Sequence, residues 1–227
     1  MTAMKIMNAN DPQSIGDIIF GNAESQYRIE DIVSGAEELP AFGKNGILLY
    51  GAWGTGKTTL AKLLPNAIEL GKKGQDLNMS EEFIACQQGY TGPQVMALIQ
   101  TQLDKMSLNA SALHYFILDE VDNLTKQAQQ SLKSAMNTQR AIFILTTNYI
   151  AQIDRGLMDR CILIEMNAAE PEQLMSFAKS LIEDMDVVLN DAELTEVIAA
   201  CNGSVRNVAT NVRRMARRKL QTEKKAA

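Results

Sequence analysis

Residues 51–58 read Gly-Ala-Trp-Gly-Thr-Gly-Lys-Thr and match GxxxxGK[ST] at every fixed position. Glycines at these places let successive backbone N–H groups turn inward, so that the loop can cradle phosphate oxygens. A helix starting at the end of the loop would present its positive N-terminus to the same anion. Lys57 then reaches the β- and γ-phosphates, and Thr58 offers a hydroxyl to Mg2+. The candidate nucleotide-binding residues are Gly51, Trp53, Gly54, Thr55, Gly56, Lys57, Thr58 and Thr59. Trp53 is large for such a loop; it either packs at the rim or touches a neighbouring subunit.

Two further apolar runs end in polar residues that suit the same chemistry. Tyr115-Phe-Ile-Leu ends in Asp119-Glu120. A carboxylate at the C-terminal end of a buried strand can hold a Mg2+ shell through water, which is the role expected of Asp119. Glu120 is the candidate base that orients and polarises an attacking water. Asp122, just beyond, reads as structural. Ala141-Ile-Phe-Ile-Leu145 ends in Thr146-Thr147-Asn148. Asn148 could bond the γ-phosphate or the water, or could simply turn the chain before Tyr149; the residues alone leave both open.

Positioning these groups requires strands that end at one edge. Ile47-Leu-Leu-Tyr50, Tyr115–Leu118, Ala141–Leu145 and Cys161-Ile-Leu-Ile164 are short apolar runs of the kind that form buried strands. Phe83–Cys86 is a further candidate in a stretch, 71–91, that is hard to read. Helical spacing follows over Thr58–Leu70, Pro93–Met106 and Thr125–Met136, with Pro65 predicting a kink or early end in the first. Residues 18–39 suit a helical lead-in. Strands alternating with helices give an α/β fold with a parallel sheet covered on both faces. Past Pro171 only helical patterns remain, over Glu172–Met185, Asp191–Ala200 and Ser204–Gln221. The expected organisation is an irregular arm over 1–15, an α/β core over 16–170 and a small helical lid over 171–227.

Composition narrows the class. The chain has 227 residues, 46% hydrophobic and 22% charged, which suits an ordinary globular protein with one main core. No apolar run is long enough to span a bilayer, and no signal-peptide pattern opens the sequence. Cys86, Cys161 and Cys201 form no CxxC pair, and the single His114 completes no familiar zinc spacing with them. They read as reduced thiols of a cytoplasmic protein. A net charge of −5 argues against coating nucleic acid by bulk charge. A local basic surface is not excluded: Arg213, Arg214, Arg217, Arg218, Lys219, Lys224 and Lys225 cluster near the C-terminus.

The order of these motifs resembles that of AAA+ ATPases, a P-loop NTPase group. Residues 119–136, DEVDNLTKQAQQSLKSAM, are similar to the acidic strand end and central helix of clamp-loader subunits. The likeness is to the replication factor C small-subunit type and its phage counterparts. Asn148–Ile153 with Asp159-Arg160-Cys161, and Gly203-Ser-Val-Arg206-Asn, are similar to that group's two sensor segments and its Ser-Arg-Cys motif. The resemblance covers residues 12–220. It implies ATP and Mg2+ as ligands, with sites shared between subunits of a ring or helical homo-oligomer. Arg160 would be a finger reaching a neighbour's ATP, with Arg155 as its rival. Arg206 would touch the γ-phosphate from the lid, and Ile18, Ile19 and Phe20 would line the adenine pocket.

The implied clients are DNA and a replication protein, such as a sliding clamp or helicase, with no membrane. Lys126 and Lys133 would then face DNA inside a ring. Two departures bear on this. Asp159 stands where Ser is usual, and the usual N-terminal Lys-Tyr-Arg-Pro signature is missing. The chain ends at Ala227, so the clamp-loader collar is expected to be absent, and small AAA+ ATPases of phages and mobile elements are the expected home. A protein-remodelling ATPase or an ATP-dependent scaffold that never touches DNA are the alternatives. Lys57→Ala should abolish most ATP binding, measured by calorimetry, because a point charge on the phosphates is lost; near-normal affinity would refute the loop assignment.

Overall fold

A computed structural model describes residues 12–78, 81–86, 91–183, 185 and 187–226, with the backbone alone over 223–226. The arm expected over 1–15 therefore lies outside the described residues as far as position 11, as do the side chains of Lys224 and Lys225. After a short 3-10 turn at Ile15–Asp17, the chain forms α1 (Ala23–Ser34) and then β1 (Gly46–Gly51). The order continues α2 (Lys57–Lys73), β2 (Glu82–Ala85), α3 (Gly92–Leu103), β3 (His114–Asp119) and α4 (Lys126–Ala135). Next come β4 (Ala141–Thr147), α5 (Arg155–Asp159) and β5 (Cys161–Met166). Three helices follow: α6 (Pro171–Ser180), α7 (Asp191–Ala199) and α8 (Val205–Ala226).

The five strands form one sheet in the order β2-β3-β4-β1-β5, with every pairing parallel. Strand side chains alternate between two faces, and the burial sorts accordingly. Leu48, Phe116, Leu118, Phe143 and Leu145 pack with Val95 and Ile99 of α3 and Leu132 of α4. Ile47, Leu49, Ile117, Ile144 and Ile164 pack on the other face with Ile29 and Ile32 of α1 and Leu60, Leu64 and Ile68 of α2. The sheet is thus covered on both sides, as its unbroken apolar strands require. A third cluster joins α6, α7 and α8 through Leu174, Ala178, Leu194, Ile198, Val208 and Val212.

Some boundaries differ from those the sequence predicts. Pro65 does not end its helix, since α2 runs on to Lys73. Leu60, Ala61, Leu64 and Ile68 on that helix are fully buried. Each buried leucine or isoleucine contributes about 1.5–3 kcal/mol, which together outweighs the ~3 kcal/mol cost of an interior proline. The first lid helix stops at Ser180, short of the expected Met185; residues 184 and 186 lie outside the described ones. The five-residue α5 has no counterpart in the periodicity; it is started by the Asp154 carboxylate, which accepts the Leu157 N–H at 3.1 Å.

One buried polar group ties α2 to the start of β3. Glu69 is fully buried, and it accepts the Tyr115 hydroxyl at 2.7 Å and both the N–H and the hydroxyl of Ser111. Burial, then this carboxylate, push the Tyr115 phenol well above its ordinary range. Two positions later, Gly71 lies directly against the Val33 carbonyl of α1. Alanine normally stabilises a helix interior by about 1 kcal/mol over glycine. At Gly71 the sign should reverse. Gly71→Ala drives a methyl into backbone and should cost about 1–3 kcal/mol, read as a lower denaturant midpoint. A raised midpoint would show that α1 and α2 are not packed this closely.

Candidate nucleotide site

The phosphate loop leaves the C-terminal end of β1, between β4 and β5, and runs into α2. Gly56 caps α2 in the left-handed conformation, and Lys57 is the first helical residue. Gly54 has φ +78, and a Cβ there would collide with the Ser204 hydroxyl at the entry to α8. That close approach also brings the Arg206 N–H to the Gly54 carbonyl at 3.4 Å. A side chain at position 54 would separate the loop from the lid.

Lys57 is buried, 7% exposed, and its ammonium folds back onto the carbonyls of Ala52 (2.6 Å) and Gly51 (3.1 Å). Burial, helped by the nearby Arg206 charge, lowers its pKa to about 8, against the opposing pull of Asp119, Asp122 and Glu120. Beside it, one oxygen of Asp119 accepts two hydroxyls, from Thr58 at 2.8 Å and from Thr146 at 2.6 Å. A hydroxyl and a carboxylate beside a phosphate cradle are hard oxygen donors of the kind Mg2+ takes together with phosphate oxygens and water. Thr58 and Asp119 fit that ion.

Glu120 follows Asp119 with φ 58 and ψ 54, a left-handed conformation that costs a non-glycine residue about 1–3 kcal/mol. Three contacts hold the turn. Its N–H donates to the Thr146 hydroxyl oxygen at 3.0 Å, and its carboxylate accepts Asn123 Nδ2 at 3.2 Å. The same Asn123 nitrogen reaches the Cys86 carbonyl at 3.1 Å. One residue along β4, the Thr147 hydroxyl donates to Asp122 at 2.6 Å. The two threonines that end β4 therefore anchor the whole acidic turn. Their part was not legible in the sequence, where Asn148 alone of the Thr-Thr-Asn strand end carried a candidate role.

A cleft of about 70 Å³ gathers Lys57, Thr58, Glu120, Thr146, Asn148 and Arg206, with Trp53 at its rim. Asp119 joins it through Thr58. A larger pocket of about 280 Å³ adjoins it between core and lid, bounded by Ile18, Ile19, Gly54, Thr55, Gly56 and Thr59. Phe177, Leu181, Val205, Ala209 and Arg213 close its lid side, and among the described lid residues Arg206 alone lines both cavities. Phe20 does not line it; this aromatic is buried in the core cluster beneath α1, because the chain turns inward after Ile19. Trp53 stands 61% exposed and meets Tyr149 edge to face, with ring centres 5.5 Å apart.

The two candidate fingers are not at the cleft. Arg160 immediately precedes β5, and its carbonyl accepts the Gly46 N–H at the start of β1. Its guanidinium donates to Asn137 Oδ1 at 3.1 and 3.3 Å and to the Gly156 carbonyl at 2.9 Å. The phosphate loop begins where β1 ends, at Gly51, the last residue of the strand that Gly46 starts. At about 3.3 Å per residue the separation is roughly 17 Å, beyond the reach of an arginine side chain. Arg155 is exposed at the first residue of α5. On α4, Lys126 is exposed, but Lys133 pairs with Asp154 at 3.5 Å, so its charge is partly met within the chain. The basic cluster of α8 is divided in the same way. Arg213 lines the pocket and Lys219 pairs with Glu193 at 3.1 Å, while Arg214, Arg217 and Arg218 are exposed.

A parallel sheet with a glycine-rich loop, a buried lysine and a Thr–Asp pair at its C-terminal edge defines a P-loop NTPase. The chain belongs to the AAA family, the ATPase family associated with various cellular activities, whose pattern matches residues 47–168. It is similar to replication factor C small subunit 2 of Pyrobaculum islandicum, 28% identical over 191 residues, which cover 78% of this chain and 56% of that protein. Human replication factor C subunit 5 is 26% identical over 204 residues, covering 86% of this chain and 55% of that one. The chain thus spans little more than half the length of these relatives. The RuvB Holliday junction branch migration motor of Thermotoga maritima has the same fold, with a TM-score of 0.74 at 18% identity, over 95% of this chain and 67% of that one.

Thr146→Val keeps the shape of the strand end but removes the bond to Asp119 and the acceptor for Glu120. At about 1–3 kcal/mol for the groups left unsatisfied, turnover should fall roughly tenfold to a hundredfold, with ATP affinity changed far less. Normal steady-state hydrolysis in this variant would mean that Thr146 does not hold the acidic turn.

Proposed function

We propose that the chain binds ATP between core and lid and hydrolyses it at interfaces between copies of itself. The observation that carries this is the convergence of Thr58 and Thr146 on one oxygen of Asp119, next to Lys57 and below Asn148 and Arg206. Ile18 and Ile19 on one side and the lid apolar residues on the other sandwich the adenine. Lys57 leaves its own loop carbonyls to bind the β- and γ-phosphates. Mg2+, when bound through Thr58 and Asp119, neutralises charge on the phosphates. Glu120 orients a water and takes its proton as the water oxygen bonds to the γ-phosphorus and the bond from that phosphorus to the bridging oxygen breaks, releasing ADP and phosphate. Asn148 holds that water or the γ-phosphate, and Arg206 touches the γ-phosphate from the lid. Arg160 of a second copy stabilises the charge that develops in the transition state.

Assembly into a ring or helix follows from a site with its finger at the opposite edge. The replication factor C likeness favours a clamp-loader-like or helicase-loader-like role in DNA replication, with a sliding clamp or helicase as partner. A phage or mobile-element setting follows from the motif resemblance alone. Three buried free thiols suit a reducing cytoplasm. The net charge of −5 favours, as a second reading, a remodelling ATPase without DNA.

Mixing variants tests the shared site. Lys57→Ala copies lack a nucleotide site but keep Arg160; Arg160→Ala copies bind ATP but lack the finger. Each alone should be nearly inactive, and the mixture should regain part of the activity once subunit exchange is shown by labelled pull-down. Exchange without recovery, with Arg155→Ala silent in place of Arg160→Ala, would assign the finger to Arg155. The client is tested separately. Primed or forked DNA should stimulate turnover, less so at higher salt, and Lys126→Glu should weaken the stimulation while basal turnover survives. A flat response to every DNA moves the assignment to the remodelling reading.

A further inference from the structure

Two exposed aromatic patches lie at opposite ends of β1. Before the strand, Ala41 and Lys44 close a tight turn with two backbone hydrogen bonds of 2.9 and 2.8 Å. Phe42 stands at its tip, fully exposed, at φ 48, a conformation a bulky residue rarely adopts. The turn is anchored, because Lys44 Nζ donates to the carbonyls of Asp159 (2.7 Å) and Cys161 (3.0 Å), the two neighbours of Arg160. Phe42 and Arg160 therefore belong to one rigid edge. Past the other end of the strand, exposed Trp53 lines the rim of the phosphate cleft, and exposed Tyr149 packs edge to face against it.

A single chain cannot bring these patches together, since β1 holds them roughly 17 Å apart at about 3.3 Å per residue. Two copies placed head to tail can, and repetition of that contact gives a ring or a helix. Charge agrees with this pairing. The Phe42 edge carries Arg160 and Lys44, against Asp159. The cleft edge carries Asp119, Glu120 and Asp122, against Lys57 and Arg206, and bound ATP adds its triphosphate. Exposed large aromatics at both edges are what a pair of interface anchors leaves bare in the separate subunit.

We propose that Trp53 and Tyr149 are the receiving half of a contact between two copies of this chain. The Phe42 turn of the partner subunit seats on them and brings Arg160 of the partner subunit to the cleft. The inference rests on the shared-site reading and deepens it by naming the surfaces that align the finger. Trp53 is then a positioning residue: its ring face attracts an arriving guanidinium, and Phe42 fixes the register of the edge that carries it.

Trp53 is the chain's one tryptophan, so intrinsic emission reports this patch directly. Emission, mass by light scattering and nucleotide affinity are measured over a range of protein concentrations with a slowly hydrolysed ATP analogue. Emission should shift to the blue as mass rises. Phe42→Ala should need about tenfold more protein for the same shift, with analogue affinity at the lowest concentration unchanged. The three native cysteines are buried, and burial raises the thiols of Cys86 and Cys161 to about 12. Introduced cysteines can therefore be cross-linked selectively. Phe42→Cys copies mixed with Tyr149→Cys copies should be joined by a short bismaleimide, and neither variant alone. Assembly with unmoved emission, wild-type assembly by Phe42→Ala, or linkage of Phe42→Cys to itself would each overturn the contact. If any of these occurs while the Lys57→Ala and Arg160→Ala mixture still recovers activity, this contact alone fails. If mass never rises with nucleotide, the shared site fails with it.

Discussion

One carboxylate oxygen organises the phosphate end of this molecule. Asp119 Oδ1 is reached by a hydroxyl from α2 and a hydroxyl from β4, so three separate segments must sit in register before the site exists. The parallel sheet makes that register unavoidable. β1 pairs with β4, and β4 pairs with β3, so the strands that end in the phosphate loop, in Thr146-Thr147-Asn148 and in Asp119-Glu120 all finish at one edge. The alternating burial of those strands, rather than any interaction within the site, is the source of the alignment. The site then adds its own strain, a glutamate at φ 58 held by Thr146 and Asn123, which a loosely packed sheet could not sustain.

The second consequence of the same sheet is separation. Residues at the start of β1 and β5 cannot approach residues at their ends, and Arg160 belongs to the first group. Its guanidinium rests on two neutral acceptors, Asn137 Oδ1 and the Gly156 carbonyl. The lid adds another condition. Arg206, in the first turn of α8, touches the loop through Gly54 and lines both cavities, so α8 and the phosphate loop meet at the cleft.

Much of this was legible in the residues. The loop, the acidic strand end and the apolar strands are dense local signals, and the structure places Ile18, Ile19, Lys57, Thr58, Glu120, Asn148 and Arg206 around adjoining cavities. What was not legible depended on tertiary contacts. Thr146 and Thr147 became anchors only when β3 and β4 were paired. Phe20 left the pocket because the chain turns under α1, and Pro65 was absorbed by a fully buried helix face. Lys133 changed meaning through Asp154, a residue of a later loop. Trp53 was open between rim packing and a contact to a neighbouring subunit, and Tyr149 came beside it only through the fold.

The central claim is that each catalytic site is completed by Arg160 of another copy. The most direct check uses the unmodified protein: ATP turnover per subunit, followed by dilution from micromolar to nanomolar protein, with ATP affinity and mass measured on the same samples. The account predicts that affinity stays level while turnover per subunit collapses over the concentration range in which the assembly falls apart. Constant turnover per subunit down to concentrations where only monomer remains would contradict it, because a single chain would then contain every group that hydrolysis needs.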